Sequence, residues 1–200
     1  MPLDAILALA LFTFATAFSP GPNNIMVTAS GVNFGFVRTI PHMAGITIGF
    51  VVLIIACAAG LGVVFTAVPA LHLALKIVGA LYMLWLAWKV ANARPAGDQD
   101  DNMAKPLTFL QGAAFQWVNP KAVVIALSAI SLYVRPDHQV ADILMVVVWF
   151  AFFTAFTVVT WTGFGVALRT LLRDPRRARI FNIVMALLLV ASIVPMVWTA

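Results

Sequence analysis

Apolar residues fill this chain in long runs, and the first run is broken in its middle by Ser19-Pro20-Gly21-Pro22-Asn23-Asn24. That run extends from Leu3 to about Val32, and a helix needs about 20 residues to cross a bilayer. Two prolines and a glycine remove backbone donors, fix or loosen φ, and force a helix to break at depth. Hydrocarbon offers no water to the freed amides and carbonyls, so such a break survives only where protein or a watery cavity surrounds it. Broken helices of this kind present polar backbone to a solute at mid-membrane. A single proline reads more simply as a kink repaired by neighbouring helices. Pro-Gly-Pro followed by two asparagines favours the functional reading.

The rest of the composition agrees with a membrane solvent. Of the 200 residues 63% are hydrophobic and only 10% charged, where a soluble domain carries about 25% charged residues. Mean hydropathy is +1.02. The net charge of +5 raises nucleic acid as a partner, but the basic residues lie between apolar segments, and the anionic inner leaflet suits them better. Cys57 is the single cysteine, so one chain builds neither a disulfide framework nor a cysteine metal site, and packing is its expected role. Ala15-Thr16-Ala17 has the look of a signal cleavage site. A signal begins with positive charge, whereas Asp4 is the early charge here, and a retained first helix is expected.

Six apolar segments follow from length and flanking charge: about Leu3 to Ala29, Ile40 to Ala67, Ala70 to Ala91, Leu107 to Tyr133, Val140 to Leu168 and Ile180 to Trp198. Asn33, Gly35 and Arg38 fall in the first connection, Pro69 marks a tight turn, and Asn92 to Lys105 is the one long polar linker. Nine Lys and Arg lie in the loops after the first, third and fifth segments, against Lys76 and Arg135 on the other side. That bias places the basic loops in the cytoplasm and both termini outside. Trp85 and Trp88 fit an inner interfacial belt and Trp198 an outer one.

Sliding the chain by 98 residues lays Phe115-Gln116-Trp117-Val118-Asn119-Pro120-Lys121 over the Pro-Gly-Pro stretch, with Pro120 on Pro22. Identity is slight, yet each half has three spans and a proline-containing interruption in its first. Three is odd, so the second copy enters the membrane from the opposite side, the inverted-repeat arrangement of many secondary transporters. The expected fold is therefore an all-α membrane protein of six transmembrane helices, built as two inverted three-helix repeats with broken first and fourth helices. Residues 1–91 form the first repeat, 92–106 a cytoplasmic linker and 107–200 the second repeat.

The candidate solute-binding residues are Ser19, Pro20, Gly21, Pro22, Asn23, Asn24, Gln116, Asn119, Pro120 and Lys121. Lys121 is the most informative. A lysine at a helix centre costs about 2.5–3.5 kcal/mol on insertion scales, so it faces the bundle interior or water, or snorkels along its own stem. In the interior it would hold a carboxylate or modulate a proton site. Asn23, Asn24 and Asn119 donate to a carboxylate and accept from an ammonium, which suits a zwitterion better than a bare cation. A half-helix starting after Pro22 turns its positive end into the same space. Thr28, Ser30, Gln111 and Gln116 are weaker candidates that often only bridge helices. Gly45, Gly49, Gly60, Gly62, Gly163 and Gly165 read as close-packing positions. The chain has no glutamate, and no aspartate falls deep in an apolar segment. His42, His72 and His138 are scattered, and no phosphate loop occurs. No catalytic, cofactor or metal residues are assigned.

Ser-Pro-Gly-Pro at 19–22, the glycines at 45 and 49, Gly79-Ala80-Leu81-Tyr82 and Asn119-Pro120-Lys121 come in the order and spacing of the LysE/RhtB family of bacterial amino-acid exporters, which the chain resembles over essentially its full length. Pro20 to Ile25, Trp85 to Lys89 and Lys105-Pro106 are most similar to the branch that exports cysteine and O-acetylserine. The resemblance implies a non-enzymatic inner-membrane exporter of small neutral amino acids, driven by protons as coupling ion, without cofactor and possible as a homo-oligomer. Many members carry aspartate directly after Pro-Gly-Pro, and this chain has Asn23. An amide does not titrate, so the coupling group stays open. Two other readings stand beside export of amino acids. One is a divalent-metal exporter of the same superfamily, and the other a membrane enzyme or non-transporting partner subunit.

Overall fold

The computed structural model describes residues 1–61, 69–93, 105–172 and 174–194. Among these the chain is helical throughout, with no strand: α1 (Leu3–Phe18), α2 (Pro22–Phe34), α3 (Phe36–Ala56), α4 (Pro69–Ala91), α5 (Phe109–Val118), α6 (Pro120–Tyr133), α7 (Gln139–Leu168) and α8 (Pro175–Ala191). Three helical stretches are long and apolar enough to cross a membrane, and up to five spans result when each bent pair counts as one. The linker residues 94–104, Gly62, Trp198 and the far ends of the second and sixth segments lie outside the described residues, as do the side chains of His72 and Lys76.

One local rule explains both bends. A residue before proline is driven out of the α region by the proline ring. Ser19 (φ −57°, ψ 137°) precedes Pro20, and Gly21 (φ −174°, ψ 175°) precedes Pro22, so α1 stops and α2 restarts at 54° to it. Asn119 (φ −84°, ψ 107°) precedes Pro120, and α6 leaves α5 at 68°. Each proline then opens its new helix, where its missing N–H was unpaired anyway and its φ is already helical. Pro41, six residues into α3, leaves that helix continuous.

Several boundaries differ from the sequence expectation. The first connection is Gly35 alone, whose φ of +82° turns the chain in one residue. Asn33 therefore belongs to α2 and Arg38 to the first turn of α3. At the other end α8 starts at Pro175 behind an Asp174 cap that accepts from the N–H groups of Arg176 and Arg177. Three arginines expected in a loop thus lie on the first turns of a helix. α3 closes in a π-helical turn, Cys57–Leu61.

The helices cross where glycines remove side chains. A Cβ on Gly45 or Gly49 would strike the backbone of Phe109 or Ala113, which seats α3 against α5. Gly31 lies on Thr162 and Gly165 on the Thr28 carbonyl, which seats α2 against α7. Among the described residues nothing lies within 4 Å of a Cβ added at Gly60 or Gly163, so no close packing is seen at either. One apolar cluster joins α1, α3, α6 and α7 around Leu9, Leu53, Ala126 and Phe150, with Cys57 buried in it. A second joins α2, α4, α5 and α8 around Met26, Met83, Phe115 and Leu189. The outside is as apolar as the inside: Leu11, Val37, Leu110, Val148 and Leu187 are all exposed. In water such a surface would aggregate; in a bilayer it is the solvent-matching face.

Candidate functional site

The two breaks meet. Asn23, the first residue after Pro22, donates from Nδ2 to Gln116 Oε1 at 2.8 Å, and Gln116 Nε2 returns a bond to Asn23 Oδ1 at 3.1 Å. Gln116 also donates to the Gly112 carbonyl at 2.9 Å, which fixes the amide orientation. Lys121, second residue of α6, reaches across to α1. Its Nζ donates to the Ser19 carbonyl and to Ser19 Oγ, both at 2.7 Å. Ser19 Oγ in turn donates to the Thr16 carbonyl at 2.8 Å. Asn24 Nδ2 covers the Ala17 and Ser19 carbonyls at 3.0 and 3.1 Å. Carbonyls freed at the end of α1 are thus satisfied by an ammonium and an amide, which is what a helix end buried in a membrane requires. Asn119 caps α6 by accepting from the Lys121 N–H at 3.2 Å.

A small cavity of about 50 Å3 lies between these groups. At about 10–15 Å3 per water this is room for a few waters, the scale of a small solute. Of the ten residues expected at a site, Gly21, Pro22, Asn23, Asn24, Gln116, Asn119 and Lys121 line it. Ser19 sits behind the wall holding Lys121, Pro20 is exposed, and Pro120 opens α6 without lining the space. Lys121 turns its ammonium onto the opposite half of the chain, at Ser19. Both α2 and α6 begin at the cavity, so two positive helix ends border it.

The sequence reading missed the apolar and hydroxyl walls. Thr16 and Ala17 of α1, Ile46 and Phe50 of α3, Ala122 and Ile125 of α6 and Phe150, Thr154, Thr157 and Val158 of α7 complete the lining. Nothing in their local sequence sets them apart from ordinary span residues. Of the weaker candidates, Thr28 returns its hydroxyl to the Asn24 carbonyl, Ser30 pairs with Thr39, and Gln111 closes a capping box with Thr108. These are structural roles. His42, fully buried in the α3–α5 seam against Gly112, has no hydrogen-bond partner on either ring nitrogen among the described residues.

Two further polar knots lie away from the cavity. Asn33 and Asn182 exchange amide bonds at 2.8 and 3.0 Å, and Asn182 also donates to the Ala93 carbonyl at 2.8 Å. Asp142 is buried one turn into α7 and accepts from Arg135 Nε and Nη2 at 2.7 and 3.0 Å. A first-turn position kept that aspartate from standing out in the sequence.

The model of LysE-type translocators matches residues 14–193. The chain belongs to the LysE-type translocator family. Like its family, it is a multi-pass membrane protein. It is 37% identical over 184 residues to the cysteine/O-acetylserine efflux protein of Escherichia coli K12, covering 90% of each chain. The protein of the same description from Salmonella typhimurium LT2 is 36% identical over 183 residues, again at 90% coverage of each. No solved structure matches the chain.

Proposed function

We propose that this LysE-type translocator is a secondary exporter of small neutral amino acids or close derivatives, of the cysteine, O-acetylserine or homoserine kind, across the bacterial inner membrane. The observation that carries this reading is the convergence of two helix breaks on one small cavity, with amides from both sides and a single ammonium beside it. An ammonium and two positive helix ends favour a carboxylate, while amide and backbone carbonyls accept from an α-ammonium. A zwitterion asks for both, and a bare cation or anion for only one. The names of the E. coli and Salmonella relatives support the substrate class.

Transport is read as proton-coupled antiport, with residues 1–91 and 107–200 as inverted repeats of three spans each and 92–106 as the cytoplasmic linker. The likeness of the two proline breaks and their meeting at the centre support the repeat. Divalent-metal carriage gains no support, since no group of three His, Cys, Asp or Glu converges among the described residues.

Proteoliposomes holding the purified protein and radiolabelled cysteine, O-acetylserine or homoserine test the reading, with and without an imposed pH gradient. Flux above protein-free vesicles, accelerated by the gradient, is expected. Equal retention of all three in both vesicle types would sink amino-acid export. Flux indifferent to the gradient would sink the proton coupling alone.

A further inference from the structure

Threonine hydroxyls inside this bundle follow one habit. Thr13, Thr28, Thr39 and Thr162 each donate to the carbonyl one turn back, at 2.6 to 2.8 Å. This local bond satisfies a hydroxyl that has no water around it. Thr157 breaks the habit. It is 2% exposed, lies on α7 between residues that line the cavity, and its Oγ1 has no partner among the described residues. A threonine in a helix has a second side-chain rotamer open to it, and that choice gives up the local bond. A buried hydroxyl left unbonded is unfavourable, so the arrangement makes sense where a bound molecule completes it.

Thr154, three residues earlier and so on the same face of α7, also lines the cavity. The surrounding wall is apolar: Ile46, Phe50, Phe150 and Val158. Lys121 is the one charged side chain among the described lining residues, and it lies with the helix breaks rather than on α7. The cavity thus has two chemically distinct walls, one ionic and amide-lined, the other hydroxyl in an apolar setting.

We propose that Thr157, flanked by Thr154, is the side-chain subsite of this cavity and selects neutral amino acids whose short side chain carries an oxygen or sulfur atom. This rests on the amino-acid reading above and adds the group that reads the side chain. A threonine hydroxyl both donates and accepts, so it serves a hydroxyl, a thiol or an ester carbonyl equally well. Apolar neighbours tolerate the one or two carbons that carry such an atom, and the absence of a counter-charge on that wall disfavours charged side chains. A pocket built around a hydrogen bond discriminates against the ligand lacking it, because its own polar group is then left unpaired.

Equilibrium binding to the purified, full-length protein in nanodiscs tests this, with serine and O-acetylserine as polar probes and α-aminobutyrate as the apolar probe of similar size. The unmutated protein should prefer the polar probes. Thr157→Val keeps the shape and deletes the hydroxyl, and should weaken the polar probes by about three- to tenfold while moving α-aminobutyrate by less than about twofold. Thr157→Ser should restore the preference, a result that a purely packing role does not predict. Thr157→Ala serves as the second hydroxyl-free variant if the valine protein is not monodisperse. A preference left intact in hydroxyl-free variants, or an equal loss for both kinds of probe, overturns the subsite alone. Failure of the unmutated protein to bind any of the three overturns the amino-acid reading and the subsite together.

Discussion

Lys121 and Gly21 act as a pair at the level of single residues. The extended backbone of Gly21, at φ −174°, is open to any residue, so the glycine is there for space. A Cβ at that position would stand 2.9 Å from Lys121 Nζ and 3.0 Å from its Cδ. Gly21→Ala should therefore lever the ammonium off Ser19 without straining the chain. Lys121→Met keeps the stem, deletes the donors and leaves the Ser19 carbonyl with the Asn24 amide alone. Loss of a charged hydrogen bond is worth about 1.5–3 kcal/mol, so transport by Lys121→Met should fall at least about tenfold in proteoliposomes at equal protein content. Gly21→Ala should fall less, and in a Lys121→Ala background it should add little, since the atoms it collides with are gone. Fully additive losses in that cycle would show that the two residues act separately.

Helix crossings decide the next scale, and glycines of one type split into two groups there. Gly45, Gly49 and Gly165 lie against the backbone of a neighbouring helix, which cannot step aside as a flexible side chain can. Gly163, two residues from Gly165 on the same helix, meets nothing within 4 Å of an added Cβ among the described residues. Gly45→Ala and Gly165→Ala should each destabilise by the roughly 1–3 kcal/mol of an overpacked core. Gly163→Ala should be neutral or stabilising, because alanine is the better helix former by about 0.5–1 kcal/mol. Thermal unfolding in detergent reads both signs. A drop for Gly163→Ala as large as that for Gly45→Ala would contradict the crossing geometry.

For the whole molecule, the buried knots show which loops share an end. Asn33, Ala93 and Asn182 come together beside the first, third and fifth connections, so the basic residues Arg38, Lys89, Arg169 and Arg176 collect at one end of the bundle. Arg135 and Asp142 mark the other, where the amino nitrogen of Met1 lies 3.8 Å from Asp142. By the positive-inside rule we propose that the basic end faces the cytoplasm. A reporter fused after residue 200 should then give active alkaline phosphatase and dark green fluorescent protein, and the reverse pattern after residue 93. Fluorescence from the terminal fusion would invert the proposed orientation.

The all-helical apolar character, the two breaks and seven of the residues that line the cavity were legible in the sequence because each rests on short-range physics. Apolar length sets a span, and the steric rule at Ser19, Gly21 and Asn119 sets a break whatever the rest of the chain does. That Gln116 pairs with Asn23 was not legible, since the two are 93 residues apart and their meeting depends on how α3 crosses α5. The same holds for Lys121, whose depth was readable but whose partner Ser19 was not. Thr157 looked like any threonine in an apolar helix until the packing of α7 placed it on a cavity wall with its hydroxyl unpartnered among the described residues. Sequence determined what each segment is made to do in a bilayer. Tertiary structure decided which amides and charges at the breaks satisfy one another, because in that solvent they need partners and theirs lie on distant segments of the chain.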